Sequence, residues 1–475
     1  MFLAGERAFK LKRSVKLAFL DFSTIELREQ ACQVELELNR RTAPELYLGL
    51  RKITRESDGR LTLDGSGEII DWLVEMRRFP EQDRLDQVAM RGELTKDRIA
   101  ELAETIAAFH ASALKLPEKG GAVGLAWVID NNRQAFAGPG GGIFSPREIN
   151  ELCERQTKWL ARLAPLLEAR REAGFVRQCH GDLHLANICL FKGKLLLFDG
   201  IEFSQEIPCI DVLYDLAFLV MDLENRGFKP AANLLLSHYI GVTGDVGGLA
   251  ALPLFLSLRA AVRAHVGAAT AATITDQAAI ESAQEAAKAY LARAFSYLTP
   301  SPARLIAVGG LSGSGKSRLA REIAPSIGAS PGALVLRSDV IRKRLAGVNP
   351  LVRLEAAAYG AEMTERTYAT LYDQTDQALA AGHTVIADAV FAMPEQRSAM
   401  AEIAEKRYVD FIGLWVEAPF EVLAERIEKR RGNASDATVE VLKKQMDYDL
   451  GEIDWQRIDS SGPREESLAQ ALKLL

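Results

Sequence analysis

Hydrophobic and polar positions change their period several times along the chain. Residues 2 to 20 alternate loosely, with Phe9 and Leu11 set against Ala8, Lys10 and Lys12, and predict strands. Ser23 and Glu26 form a Ser-x-x-Glu capping box that opens a helix running to about Asn39. "PELYLGLRKITRESDGRLTLDG" predicts a hairpin turning at Asp58-Gly59, and "EIIDWLVEMRRFP" a further strand ended by Pro80. From Thr95 the spacing becomes helical, with apolar positions at Ile99, Leu102, Ile106 and Phe109. "GPGGG" (138 to 142) has no strand before it and no helix directly after it, so it reads as a loop and not as a phosphate site. "KLLLFDG" predicts a short buried strand, and helices dominate from Val212 to Tyr297. "LTPSPAR" (298 to 304) has the prolines of an interdomain linker. Beyond it "RLIAVGG", "SRLAREIA", "ALVLRSD", "HTVIADA" and "FIGLWVEA" alternate strand and helix, which predicts a parallel sheet flanked by helices.

The chain of 475 residues is longer than one ordinary domain. Its net charge of −6 argues against an extended nucleic-acid footprint and leaves room for a local basic groove. The five cysteines include no Cys-x-x-Cys pair, which excludes a disulfide framework or zinc knuckle and fits a reducing cytoplasm. "MFLAGERAFKLKRSVKLAF" lacks the apolar core of a signal peptide. "LAALPLFLSLRAAV" is interrupted by Arg259 and is expected to be too short for a membrane span. These features lead to the expectation of a soluble cytoplasmic protein with no membrane partner.

Residues 310 to 317 read Gly-Leu-Ser-Gly-Ser-Gly-Lys-Ser, a complete phosphate-loop pattern between an apolar strand and a helix. The backbone N–H groups of Gly310, Ser312, Gly313, Ser314 and Gly315 can curl round phosphates. Lys316 would reach the β- and γ-phosphates of ATP, and Ser317 would ligate Mg2+. Asp339 follows the next strand, where a carboxylate can accept a proton from a substrate hydroxyl, and Arg342 and Arg344 stand close by to hold an anion. An N-cap aspartate followed by solvated arginines is the plainer reading. Asp388 ends another apolar strand in a metal-side position. Arg426, Arg430 and Arg431 could close over the phosphates as a lid, or form a solvated helix face. Residues 303 to 475 resemble small P-loop kinases related to gluconate kinases, zeta toxins and polynucleotide 5′-hydroxyl kinases, through the phosphate loop, "SDVIRKRL", "VIADA" and the "RR…SDA" segment. That resemblance implies Asp339 as base and Arg342 as its neighbouring arginine.

A second constellation lies in "VRQCHGDLHLANICL". His180, Asp182 and His184 would share a face on a strand, but the other histidines are isolated, so a transition-metal site lacks ligands. His180-Gly-Asp182-x4-Asn187 followed by Asp199 has the spacing of a kinase catalytic loop. There Asp182 would face the acceptor hydroxyl, while Asn187 and Asp199 share Mg2+. With "LLLFDGIEF", "DVLYDLAFL" (Asp211, Asp215) and His110, residues 1 to 297 look like the aminoglycoside phosphotransferase family. The resemblance implies a protein-kinase-like bilobal domain, with the small lobe to about residue 80 and the large lobe from 81. It implies Lys10 as the phosphate lysine and Glu35 as its helical partner, with Lys12 and Glu37 as alternatives, and a hinge near Glu75 and Met76. His180 and His184 would orient the loop. Asp199-Gly200-Ile201 in place of Asp-Phe-Gly points to the small-molecule side of that fold. Little sequence precedes the lysine strand to build a loop over the phosphates.

The expected fold class is α/β and α+β, with a kinase-like domain (1–297), a linker (298–304) and a P-loop domain (305–475). The expected function is a tandem ATP- and Mg2+-dependent phosphotransferase acting on small hydroxyl acceptors. A nucleotide-responsive regulator with one active domain is the first alternative. A polynucleotide 5′-hydroxyl kinase is the second, disfavoured by the acidic balance and few aromatics.

Overall fold

The computed structural model describes residues 1–17, 20–202, 207–350, 352–429 and 434–475. Contacts group Met1–Asn132 with Leu160–Asp222 as one compact unit, and Arg133–Trp159 with Leu223–Leu475 as a second.

The first unit opens with a five-stranded antiparallel sheet, in the order Phe2–Ala4, Arg7–Leu11, Glu68–Arg77, Tyr47–Arg55 and Leu61–Leu63. Helix Ile25–Arg40 covers it and buries Cys32 and Leu36 against Ala8, Tyr47, Val74 and Met76. The helix is capped by Thr24, whose hydroxyl accepts the Leu27 N–H at 3.3 Å. Ser23 bonds Asp21 instead, so the cap falls one residue later than expected, and with Leu27 at the third helical position the Ser-x-x-Glu box does not form. The hairpin turns at Asp58-Gly59 as expected, with Gly59 at φ +82°. Glu75 and Met76 lie inside the ladder, paired with Phe9 and Ala8 on one side and with Gly49 and Tyr47 on the other. Their main-chain groups belong to the sheet and not to the hinge expected at these two residues.

Helix Lys96–Ser112, capped by Thr95, buries the four apolar positions read from its sequence. Each such burial contributes roughly 1.5–3 kcal/mol. Strand Val176–Gln178 pairs with Cys209–Asp211, and Ile188–Phe191 with Lys194–Leu197, both antiparallel. The segment 179 to 187 runs between these two ribbons, and Asp199 follows the second.

The second unit contains a parallel five-stranded sheet, in the order Leu334–Arg337, Val385–Asp388, Arg304–Gly309, Asp410–Glu417 and Gln456–Asp459. Ile306, Val308, Ile386 and Val416 pack against Leu319, Ile323 and Ala471. The alternate residues Leu305, Ala307, Val385 and Ala387 are also fully buried, as a sheet covered on both faces requires.

Helix Lys229–Thr243 belongs to this unit, although the sequence boundary assigns it to the kinase-like domain. It covers the edge strand: Ser237 Oγ accepts the Val335 N–H at 3.2 Å, and Asn233 Nδ2 donates to the Ala333 carbonyl at 2.9 Å. An open strand edge is a liability that such cover removes. The stretch expected to be too short for a membrane span belongs to a longer helical run, Val246–Ala271. Its length and apolar composition meet the requirement for a span, and 72% of its most apolar window is buried within the protein.

Candidate functional site

The first site is built on the lysine strand. Lys10 Nζ lies 2.7 Å from Glu35 Oε1 and 2.5 Å from Asp199 Oδ1, so strand, helix and the segment after the second ribbon meet at one ammonium. Lys12 also reaches Glu35, at 2.7 Å to Oε2, and Glu202 at 2.5 Å. Both lysines left open by the sequence therefore share the fully buried Glu35. Glu37 instead accepts from Gln33 on the helix surface. Burial disfavours the charge on Lys10, but Glu35, Asp199 and Glu202 outweigh it and hold its pKa above the ordinary lysine value. Lys12 is raised in the same way. Both remain ammonium groups at neutral pH.

Asp199 sits at φ +62°, a strained backbone for a residue with a side chain. The conformation is held from two sides. The Asp199 N–H donates to the Tyr47 hydroxyl at 3.1 Å, and the Gly200 N–H to Asn39 Oδ1 at 2.8 Å. Burial first, then the Asp199 and Glu35 charges, push the Tyr47 phenol upward, so it stays neutral.

Asp182 and Asn187 are fixed to each other. Asn187 Nδ2 donates to the Asp182 carbonyl at 3.0 Å and to its Oδ2 at 2.9 Å. His184 Nε2 lies 3.3 Å from the same Oδ2, with its ring edge-on to Phe218. The short turn Leu185–Asn187 is held by Asp222, which accepts the Leu185 N–H at 3.1 Å. His180 is buried, its Nε2 3.0 Å from the Phe198 carbonyl, and burial pushes its pKa down. It is buried and neutral at neutral pH.

Beneath the loop, fully buried Asp215 accepts the N–H groups of His180 at 3.1 Å and Gly181 at 2.9 Å, and its Oδ2 lies 3.1 Å from His110 Nε2. Asp211 takes a two-pronged bond from Arg170 at 2.7 and 2.8 Å, with the guanidinium 4.2 Å from the Phe175 ring centroid. Both aspartates stand in "DVLYDLAFL", yet the groups they hold could not be read from their own spacing. Glu202 was missed altogether; its only signal was its place three residues after Asp199.

The second site is the phosphate loop between strand Arg304–Gly309 and helix Lys316–Ile323. Gly310 sits at φ +139°, where a Cβ would overlap the Val416 carbonyl oxygen. Gly313 sits at φ +87°, where a Cβ would come within 2.5 Å of the Leu423 carbonyl oxygen. Gly315 caps the helix in the left-handed conformation, and Ser317 lies in its first turn. The Ser312 N–H donates to Gln445, and the Ser314 carbonyl accepts from Ser460 at 2.8 Å. Lys316 Nζ reaches the Leu311 carbonyl at 3.5 Å, curled back over the loop. Ser314 Oγ and Asp388 Oδ1 are both buried without a hydrogen-bond partner among the described residues. Asp388 Oδ2 accepts from Arg337 Nε at 3.1 Å. An orphaned carboxylate oxygen at the end of the strand beside the phosphate loop suits a metal ion or its bound water.

Asp339 lies in the first turn of helix Ser338–Leu345, half-buried, and Arg342 follows on the same face. Arg342 donates to the Ala358 carbonyl at 3.1 Å and to Thr364 Oγ1 at 3.2 Å, 5.1 Å over the Tyr359 ring. Arg344 turns away to the Gly241 carbonyl at 3.3 Å. Arg426 bonds the carbonyl and hydroxyl of Ser460 at 2.5 and 3.3 Å, one step from the phosphate loop. Arg430 and Arg431 lie outside the described residues. Sequence reasoning missed the fully buried Lys343, which pairs with Asp436 at 3.1 Å while Asp436 also accepts from Tyr359 and Leu354.

Residues 305–448 match the family described as AAA domain. The uncharacterized protein Rv2004c of Mycobacterium tuberculosis is 31% identical over 482 residues, covering 99% of this chain and 92% of the relative. The uncharacterized protein Mb2027c of Mycobacterium bovis matches with the same values. A solved gluconokinase from Sinorhizobium meliloti is similar over 37% of this chain and 95% of its own, at 21% identity and a TM-score of 0.26. A choline/ethanolamine kinase family protein from Mesorhizobium loti is similar over 62% of this chain and 88% of its own, at 13% identity and a TM-score of 0.38.

Proposed function

We propose that this chain, which belongs to the family of the mycobacterial proteins Rv2004c and Mb2027c, is a tandem phosphotransferase. Each site moves the γ-phosphate of ATP to a hydroxyl of a small molecule with the help of Mg2+. One observation supports the reading: a single chain holds two separate sets of residues that each combine a lysine with two carboxylates, and the reading assigns one carboxylate to a metal and the other to a proton. The first has Lys10, Asp199 and Asp182; the second has Lys316, Asp388 and Asp339.

In the first centre Glu35 fixes Lys10, which would hold phosphate oxygens, and Asn187 with Asp199 would hold the metal. Asp182 orients the acceptor hydroxyl and takes its proton. In the second, the loop amides and Lys316 would hold the phosphates, Ser317 and Asp388 would hold the metal, and Asp339 would take the proton. Arg342 ties the acceptor-side segment to the helix that carries the base, and Arg426 steadies the phosphate loop through Ser460. A bound metal would supply charge neutralisation on the transferred group; orientation and proton acceptance fall to these side chains.

The test is Mg2+-dependent ATP turnover by the full chain, by Asp182→Ala, by Lys316→Ala and by the double variant, in the presence of a metabolite extract. Each single variant should lose part of the turnover and the double variant all of it. Turnover that survives the double variant rejects the assignment of both centres. A loss confined to Lys316→Ala would instead make residues 1 to 297 a ligand-binding domain.

A further inference from the structure

We propose that a groove along helix Ala361–Ala380 is the acceptor subsite of the P-loop domain, and that it takes an uncharged or cationic alcohol with a flat apolar face. The proposal rests on the phosphotransferase reading of that domain, with Asp339 as base.

The groove has a volume of about 660 Å³, within the ordinary range for a small-molecule site. Thr364, Glu365, Tyr368 and Tyr372 line it from one face of the helix, and Gln396 lines it from the start of the next. Its position ties it to both halves of the reaction centre. The Tyr368 hydroxyl accepts the Phe391 N–H at 3.2 Å, and the adjoining Val390 carbonyl accepts the N–H of Gly310, the first glycine of the phosphate loop, at 3.1 Å. On the other side Thr364 Oγ1 accepts from Arg342, one helical turn from Asp339. These bonds join the walls of the groove to the segment before the phosphate loop and to the helix that carries the base, and the proposal seats the acceptor hydroxyl between the two. Its hydroxyl oxygen attacks the γ-phosphorus, the bond from that phosphorus to the bridging oxygen breaks, ADP leaves, and the hydroxyl proton passes to Asp339.

The lining decides the class of acceptor. Tyr368 and Tyr372 have ring centroids 5.9 Å apart, and Phe391 backs Tyr368 edge-on at 5.9 Å, which makes one wall aromatic. Half-buried Tyr372 can offer its face to a ring or a sugar-like surface. Among the lining residues the single charge is Glu365, and it is negative. The cation that borders the groove, Arg342, is engaged by Ala358 and Thr364. A multiply anionic acceptor would meet a carboxylate with no lining cation to offset it, and the incoming ATP would add to the repulsion.

The experiment uses full-length protein carrying Asp182→Ala, so that only the P-loop centre turns over. A metabolite extract is passed over an anion exchanger, and γ-labelled ATP is supplied with the unretained or the retained pool. The proposal expects Lys316-dependent label in products of the unretained pool, at least about tenfold above the retained pool. Tyr372→Ala should raise KM for that acceptor about tenfold with kcat nearly intact, and Tyr372→Phe should restore it. Glu365→Lys, an exposed position, should open the site to the retained pool. Label entering chiefly the retained pool, or kinetics indifferent to Tyr372→Ala and Glu365→Lys, overturns the groove assignment while leaving the enzyme a phosphotransferase. Label in neither pool overturns the phosphotransferase reading itself.

Discussion

Substituting Asp215 by Asn tests how the first catalytic loop is held. The carboxylate has no solvent exposure and accepts two backbone N–H groups, from His180 and Gly181, with His110 beside it. Asparagine keeps the volume but offers one oxygen and one NH2, so one of the two amides faces a donor and loses its partner. An orphaned buried N–H costs about 1–3 kcal/mol, and the remaining bond loses its charge assistance, about 1 kcal/mol more. The sum is about 3 kcal/mol. For a domain of 150–250 residues that lowers the midpoint of its own thermal transition by about 6–12 °C. The residue is fully buried beneath the loop, so its kinetic effect comes through displacement of Asp182. A shift of about 1 Å at a reacting group costs on the order of a hundredfold in rate. Calorimetry of the full chain, with Asp182-dependent transfer measured in parallel, should show a lower first-unit transition and a reduced kcat, with KM for ATP little changed. A variant with unaltered melting and unaltered kcat would refute the claim that Asp215 holds the loop.

Three further outcomes follow from particular contacts. Gly313→Ala places a Cβ within 2.5 Å of the Leu423 carbonyl at a positive φ, and should weaken binding of a fluorescent ATP analogue at the P-loop site by at least about tenfold; unchanged affinity contradicts the loop geometry. Arg170→Ala strips a buried, two-pronged partner from Asp211 and should cost about 3–5 kcal/mol in urea unfolding, whereas a cost under about 1 kcal/mol would show the pair to be idle. Burial pushes His265 and His383 down to about 4 from an ordinary value of 6.5. The unfolded chain therefore takes up their protons first, and stability is full above about pH 6.5 and declines as pH falls toward 4. The decline is about 1.4 kcal/mol per pH unit for each histidine. Urea midpoints that stay level from pH 7 to pH 4.5 would contradict the downward shift of both rings.

The elements legible in the sequence were those with a strong local period or a fixed local conformation. The strand, glycine loop and helix around Lys316 satisfy every local rule at once, and the structure places them as read. Helix Lys96–Ser112 was equally plain, because four apolar residues at helical spacing leave one solution. Elements decided by distant partners were harder. Thr24 caps its helix while the neighbouring Ser23 bonds Asp21, a choice set by the entering chain. Glu75 and Met76 are central in a ladder whose neighbours lie tens of residues away, so their place could not be read from the strand itself. Helix Lys229–Thr243 looks like any apolar helix until the edge strand it covers is known. Within the sites, local motifs gave Asp182, Asn187 and the phosphate loop. Lys12–Glu202, Arg337–Asp388 and Lys343–Asp436 pair across 190, 51 and 93 positions, and no local spacing encodes them.

The central claim, two phosphotransferase centres in one chain, is tested most directly by separating labelled products. The full-length protein is given γ-labelled ATP, Mg2+ and a metabolite extract, beside Asp182→Ala and Lys316→Ala. The account predicts at least two labelled species, one absent from each variant and present in the other. A product pattern that Asp182→Ala leaves unchanged would contradict it, and would leave the P-loop centre as the site of chemistry.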